Sequence, residues 1–432
     1  MGHRNPSLVR HAEASGGTCA VGDVCDPRAV AAFAREQEID IVMVSADEPL
    51  AAGVVDALLA QGTRAVGPTR AGAEIEWNKA FARSLLSEVA PEAAPMLRVV
   101  TDAHEVGEAI ESFGSTPVAV KPSGLTGGKG VKVMGPHLAT HTEARDYALS
   151  LLASRKREES VLIEEKILGA EFTIQAISDG RTVIFPPATY DYPFRYDGDK
   201  GPGTGGMGSL SMADSTLPFM TQRHYDLACS IIERVIERLS QQGRHFTGVM
   251  NSGFFATADG VKVIEFNARF GDPECINIMS LFDGNWAEVM QRICAGSLSA
   301  GDVPLREEAS LVLYLVSPDY ALGAGGAATP SSYQFDLDRT QMEAAGCHVF
   351  FASAVKIAEK TYRTVGTSRA VALATTAPAL ERARARIVAC AGTVQTLEWR
   401  RDVGDERYLN GLRALVEGAS TAAQRPLLPN PS

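Results

Sequence analysis

Apolar and polar positions along this chain follow two rhythms, one of period two and one near 3.6. Residues 39–44 (Ile39-Asp40-Ile41-Val42-Met43-Val44) form a β-rich run of the kind buried on both faces of a parallel sheet. Residues 50–59 follow with helical spacing, and Thr63-Arg64-Ala65-Val66 is a short strand closed by Gly67-Pro68. Strand, helix and strand at that spacing predict a doubly wound α/β unit over residues 1–76. A long helix is predicted over 79–89, then short strands at 97–100, 117–121, 161–164, 171–177, 182–185, 248–255 and 261–267. A core-facing helix at 221–239 interrupts them. The remaining strands are predicted at 310–316, 347–352 and 370–374, with a helix at 377–389. The fold class expected is therefore α/β and α+β. An N-terminal domain spans 1–76, a central domain 77–305 and a small C-terminal α+β domain 306–420, and the Pro- and Ser-rich residues 421–432 form a flexible tail.

Composition narrows the function classes. A chain of 432 residues has length for several domains with ample core. Its net charge of −11 argues against a nucleic-acid partner. No apolar run approaches the roughly 18 residues that a membrane span requires, and no signal peptide opens the chain. The seven cysteines (Cys19, Cys25, Cys229, Cys275, Cys294, Cys347, Cys390) are odd in number, scattered and without a CxxC pair. They read as free thiols of a reducing compartment, so a cytoplasmic location is expected and zinc is not.

The densest chemistry lies in Ile264-Glu265-Phe266-Asn267-Ala268-Arg269-Phe270-Gly271-Asp272-Pro273-Glu274, directly after an apolar run. Alternate side chains of a strand share a face, so Glu265, Asn267 and Arg269 are expected to point the same way. A hard oxygen pair suits Mg²⁺ against a triphosphate, and a fixed cation stabilises a transferring phosphoryl group. A strand end facing water is the plain alternative. Upstream, Lys121 ends a strand, and Gly124-Leu125-Thr126-Gly127-Gly128-Lys129-Gly130 forms a hairpin before Val131-Lys132-Val133. It is not a Walker A loop, because Gly130 rather than Ser or Thr follows Lys129 and no helix follows. Its glycines let backbone N–H groups approach phosphate oxygens between two lysines, or the segment is simply a flexible turn. The strand reaching Glu164 and Glu165 empties into a connector that can offer backbone groups to an adenine edge, with Glu171 on a ribose, or it is a turn with solvated acids. Glu48, in the loop after the first strand, could hold a ribose hydroxyl or serve as an acid at a helix N-terminus. Residues 196–208 hold six glycines, which reads as a loop that must close over a substrate rather than a rigid element.

Taken in order, the glycine-rich hairpin, the Glu164-Glu165-Lys166-Ile167-Leu168-Gly169-Ala170-Glu171 connector, the Gly201-to-Gly208 loop and the Glu265-to-Glu274 strand exit resemble the phosphoribosylamine–glycine ligase family of ATP-grasp enzymes. The likeness covers almost the whole chain. It extends to Glu48-Pro49-Leu50-Ala51-Ala52-Gly53, Gly67-Pro68-Thr69, Asn78-Lys79-Ala80-Phe81-Ala82 and Trp399-Arg400-Arg401-Asp402-Val403-Gly404. It implies ATP-grasp central domains that join glycine to 5-phosphoribosylamine through a glycyl phosphate, with ATP and Mg²⁺ or Mn²⁺. By the same resemblance, ATP is bound by Lys79, Lys121, Gly127, Gly128, Lys129, Gly130, Glu164, Glu165 and Glu171, and the metal by Glu265 and Asn267. Arg269 and Asp272 serve catalysis. Glu48, Asp191, Thr204, Gly205, Gly206, Met207 and Asp272 face the small-molecule substrates of a monomer or homodimer. Two departures from the family pattern stand out. The chain opens after the family's first strand and its GxGxREHA-type loop, so a truncated N-terminal domain is expected. Pro193 and Phe194 stand in Asp191-Tyr192-Pro193-Phe194-Arg195 where the family carries basic residues, and Gly203 replaces an asparagine. These departures leave two other expectations open: a paralogue that joins a different amino acid or amine, and a nucleotide-binding homologue without catalysis.

Overall fold

In the computed structural model, residues 5–124, 130–154, 160–322 and 332–418 are described. Gly127, Gly128, Lys129 and the tail 421–432 lie outside them. The N-terminal segment pairs Ile41–Met43 with Arg64–Val66 in parallel, with helices Pro27–Glu36, Asp47–Ala52, Val54–Ala60 and Arg70–Trp77 around the pair. The single helix expected over 50–59 is two. Gly53 takes φ +87°, a left-handed conformation that closes one helix and opens the next, and glycine adopts it without a Cβ penalty. The first of these helices starts early enough to place Glu48 in its first turn.

Two sheets carry most of the remaining chain. The smaller is antiparallel, in the order Leu97–Val100, Val161–Glu165, Val118–Pro122, Lys132–Val133. Its apolar residues, among them Val100, Val118, Val120, Val161 and Ile163, close a core with Ala144 and Ala148 of helix His141–Ser154. The larger sheet has nine strands. Its main path runs Gly260–Asn267, Gly248–Thr257, Ala170–Ser178, Thr189–Asp191, Gly208–Ser211, Ala309–Leu315, Val371–Ala377, His348–Phe351, and Val183–Ile184 pairs off the third of these. Helix Gln222–Gln241 packs on this sheet through Tyr225, Ala228, Ile232, Val235, Ile236 and Leu239, the helical spacing seen in the sequence.

Two expectations change. The sheet runs straight through the domain boundary expected at 305/306, because Gly208–Ser211 pairs antiparallel with Ala309–Leu315. Every residue of Ala309–Leu315 is buried, as befits a strand paired on both edges and covered on both faces. The separate sheet of the C-terminal segment is only the trio Gln334–Asp336, Thr361–Thr364, Ala354–Lys356. The glycine-dense stretch 196–208 is also not an irregular loop. Phe194–Tyr196 pairs with Lys200–Gly203 as a hairpin, and a tight turn then enters Gly208–Ser211.

Candidate active site

The strand Gly260–Asn267 sits at the edge of the large sheet, packs against helix Arg70–Trp77 and is tied through Arg83 to Glu164 of the small sheet. Its register contains a bulge: Gly253 faces Glu265 and Phe254 faces Val263, so Ile264 is the extra residue. Past the bulge, Phe266, Ala268 and Phe270 are buried while Glu265 is exposed and Asn267 and Arg269 are partly so. The alternation read from the sequence thus continues two residues beyond the strand. The Asn267 amide nitrogen lies 3.5 Å from Glu265 Oε1 and donates to the Asn251 carbonyl at 3.3 Å.

Arg269 is held from the N-terminal segment. Its guanidinium lies 3.2 Å from Glu76 Oε1, and Glu76 Oε2 accepts from the Ala268 N–H at 2.7 Å. Burial pushes the Glu76 carboxyl up to about 7, against the lowering influence of Arg269 and the Ala268 N–H. Lys79, one turn further on, donates to the Gly124 carbonyl at 3.0 Å. Burial lowers its pKa, with Lys121 adding to the effect and Glu265 opposing it. Helix Lys79–Val89 starts at this point because Asn78 caps it, its Oδ1 accepting from the Phe81 N–H at 3.1 Å.

On the small sheet, Lys121 Nζ lies 2.7 Å from Glu164 Oε2. Glu164 was expected beside the nucleotide, but its side chain is only 3% exposed, and both its oxygens are engaged by Arg83 at 2.5 and 3.0 Å. Burial alone would raise its pKa; the charges of Lys121 and Arg83 outweigh that and hold it at about 2. Its carboxylate is taken up by these two cations. Glu165 accepts from the Met96 N–H at 3.0 Å, and Gly130, at the far end of the hairpin, accepts from Tyr147 Oη at 2.9 Å.

A third group closes the site from the turn 204–207. Arg369 donates to the carbonyls of Gly205, Gly206 (3.0 Å) and Asp272 (3.1 Å), and to Asp272 Oδ2 at 2.7 Å. Tyr314 Oη donates to the other Asp272 oxygen at 2.8 Å, and its ring lies 4.3 Å from the Arg369 guanidinium. Thr204 Oγ1 donates to the Pro193 carbonyl at 3.0 Å and accepts from the Gly206 N–H at 3.1 Å. Met207 does not face a ligand. It is 0% exposed, and its N–H and C=O are taken by the Tyr192 carbonyl and the Tyr314 N–H. It stands directly before the strand Gly208–Ser211, with its side chain in the core. Asp191 lies beneath this turn, and burial, then Glu274 and Glu171, push its pKa well above the carboxylate range. Glu171 stands on the neighbouring strand Ala170–Ser178. Glu48 is exposed, and its carboxylate faces Cys25 Sγ at 3.9 Å.

The turn explains why glycine stands at 206. Its φ is +99°, and a Cβ there would lie 2.6 Å from Pro273 Cδ and 3.2 Å from Asp191 Oδ2. Gly206→Ala is expected to destabilise the protein by roughly 1–3 kcal/mol through the backbone conformation alone, with the clash in addition. A thermal unfolding midpoint equal to that of the unaltered protein would count against this account of the turn.

Arg195 follows Pro193 and Phe194 but leaves the site. It is 1% exposed, with its guanidinium on Glu398 (2.5 Å) and the Tyr320 carbonyl (3.3 Å). Sequence reasoning missed Glu76, Arg83, Tyr314 and Arg369. Arg83 carried a signal, since it shares a helix face with Lys79 four residues earlier. Arg369 carried none, because only the fold brings 369 to 205 and 272.

Glu265 and Asn267 are hard oxygen donors side by side at an open edge, which fits Mg²⁺. Among the described residues no group of three from His, Cys, Asp and Glu is arranged to hold a metal ion. An ion bound there would complete its shell with water and phosphate oxygens, the usual habit of Mg²⁺.

The small sheet bearing Lys121, set against a large sheet bearing Glu265 and Asn267, defines an ATP-grasp enzyme. Residues 3–76 match the family model described as phosphoribosylglycinamide synthetase, N domain, and residues 77–275 the model of its ATP-grasp (A) domain. The phosphoribosylamine–glycine ligase of Pyrococcus furiosus is 37% identical over 404 residues, covering 93% of this chain and 87% of that one. That of Methanopyrus kandleri is 41% identical over 333 residues, covering 76% and 72%. The crystal structure of the Thermotoga maritima phosphoribosylamine–glycine ligase superposes with a TM-score of 0.73 at 22% identity, covering 92% of each chain. A biotin carboxylase domain from Hydrogenobacter thermophilus, solved with MgADP, gives 0.66 at 15% identity over 96% of this chain and 87% of that one, a likeness of fold. The chain belongs to the phosphoribosylamine–glycine ligase family, and it is a ligase that forms a C–N bond.

Proposed function

We propose that this chain joins glycine to 5-phosphoribosylamine, giving glycinamide ribonucleotide, ADP and phosphate in de novo purine biosynthesis. The observation that carries the reading is the cluster at the strand exit, where Glu265, Asn267 and Arg269 stand on one face and Lys79 feels the charges of both Glu265 and Lys121. A carboxylate is a poor acyl donor, so the glycine carboxylate first takes the γ-phosphoryl group of ATP and the amine then displaces phosphate. In this reading Lys79 and Lys121 hold the triphosphate, and Glu265 and Asn267 hold Mg²⁺ or Mn²⁺, which neutralises charge on the phosphates. Arg269, fixed by Glu76, stabilises the charge on the transferring group. Asp272, braced by Arg369 and Tyr314, with Asp191 and the Thr204–Gly206 turn, lines the side where acid and amine meet. Glu171 takes the ribose of ATP. A cytoplasmic location belongs to the same reading, supported by seven free thiols.

The test is ADP release assayed with a panel of amino acids and amines. Glycine with phosphoribosylamine is expected to give the highest rate, with ADP and glycinamide ribonucleotide in equal amounts. Turnover with another pair and none with this one would replace the substrate assignment.

A further inference from the structure

Arg83 is buried, with its side chain 6% exposed, on helix Lys79–Val89. It makes four hydrogen bonds to groups from two sheets. Nε and Nη2 donate to the two Glu164 oxygens of the small sheet at 2.5 and 3.0 Å. Nη1 donates to the Val263 carbonyl at 3.2 Å, and Nη2 also to the Ile264 carbonyl at 2.7 Å, both on the large sheet. Ile264 is the bulge residue, and the bulge directly precedes Glu265. A bulge breaks the ladder and re-aims the side chains after it, and it leaves backbone groups in need of partners. Arg83 satisfies that need. On its other side it shares Glu164 with Lys121, whose Nζ lies 2.7 Å from Oε2.

We propose that Arg83 is a positioning residue for ATP turnover: its guanidinium sets the phosphate-binding Lys121 and the metal-side Glu265 in one frame. The proposal rests on the reading of Lys121 and Glu265 as ATP-site residues. The planar fork matters as much as the charge. A carboxylate across two nitrogens and two carbonyls beside it take four N–H donors of one planar fork, which a lysine ammonium does not offer.

The experiment measures initial rates of ADP formation against ATP, Mg²⁺ and glycine for Arg83→Lys and for the paired replacement Arg83→Met with Glu164→Gln. The pair removes both buried charges together, a change that is often neutral for folding. Because Glu164 also holds Lys121, the pair is compared with Glu164→Gln alone, and the further change on adding Arg83→Met is the part assigned to Arg83. Circular dichroism and thermal unfolding establish the fold of each. The KM for ATP and the Mg²⁺ concentration at half-maximal rate are expected to rise by about 10–100-fold, the range seen when an outer-shell partner of a metal site is lost. The KM for glycine is expected to stay within about twofold, since Arg83 touches nothing on that side. Folded variants whose ATP and Mg²⁺ dependences are unchanged, or whose rate falls with no change in either, would make Arg83 a core-pairing residue and overturn the proposal. Glu265→Gln and Lys121→Ala run alongside. If those two also turned over ATP normally, the reading of the site itself would fail, and the Arg83 role with it.

Discussion

Glu265→Gln is expected to reduce ATP-dependent ADP formation by at least about a thousandfold while leaving the unfolding midpoint almost unmoved. The substitution keeps size and shape and replaces an anionic oxygen donor by a neutral amide, which weakens the hold on a divalent cation directly. Metal and oriented charge supply most of the stabilisation in phosphoryl transfer, so loss of a ligand falls on the rate. The fold is spared because Glu265 is exposed, and among the described residues its hydrogen-bonding partner is Asn267 at 3.5 Å. The neighbours that carry the packing, Val263 at 0% and Phe266 at 2% exposure, are untouched. Asn267→Ala is expected to behave alike. ADP formation within a few-fold of the unaltered enzyme, measured at saturating ATP and Mg²⁺, would sink the metal assignment.

Lys121→Ala is the second large effect, and it is expected in both KM for ATP and kcat. A charge-assisted hydrogen bond contributes roughly 1.5–3 kcal/mol, or about one to two decades in kcat/KM. Its action in ground and transition states together moves both parameters. Stability is expected to change less, because Arg83 remains across both oxygens of Glu164 and keeps that buried carboxylate neutralised. Arg83 cannot be dispensed with in the same way: without it, Glu164 keeps only Lys121, and the carbonyls of Val263 and Ile264 lose their donor. If Lys121→Ala lowered the unfolding midpoint and left the ATP dependence intact, Lys121 would be a structural partner of Glu164, and the phosphate role would pass elsewhere.

Much of this molecule was legible in order of residues alone. The helix over 79–89 and the strand over 97–100 stand where periodicity places them, because a capping Asn78 and a clean apolar pattern leave few alternatives. The facing of Glu265, Asn267 and Arg269 was legible too, since period two is a property of the extended backbone itself. Local chemistry of that kind needs no partner from far along the chain.

Where a partner from far away decides, the sequence was silent or misleading. Six glycines between 196 and 208 read as mobility, yet they form a hairpin and a turn pressed against Pro273, because glycine marks close approach of backbone as readily as freedom. Met207 belongs to a motif that resembles a substrate loop, but its position directly before the strand Gly208–Ser211 puts it in the core. That both Glu164 side-chain oxygens are held by Arg83, 81 residues upstream, was not legible in the sequence. Arg369 meets Gly205 and Asp272 only because Val371–Ala377 joins the large sheet beside Ala309–Leu315. By itself the sequence determined the family, the elements and the set of chemical groups. The tertiary structure decided which of those groups are free to face a ligand and which are consumed in holding the others. Burial makes each unpaired charge costly, and the partner that relieves it is chosen by the fold rather than by proximity along the chain.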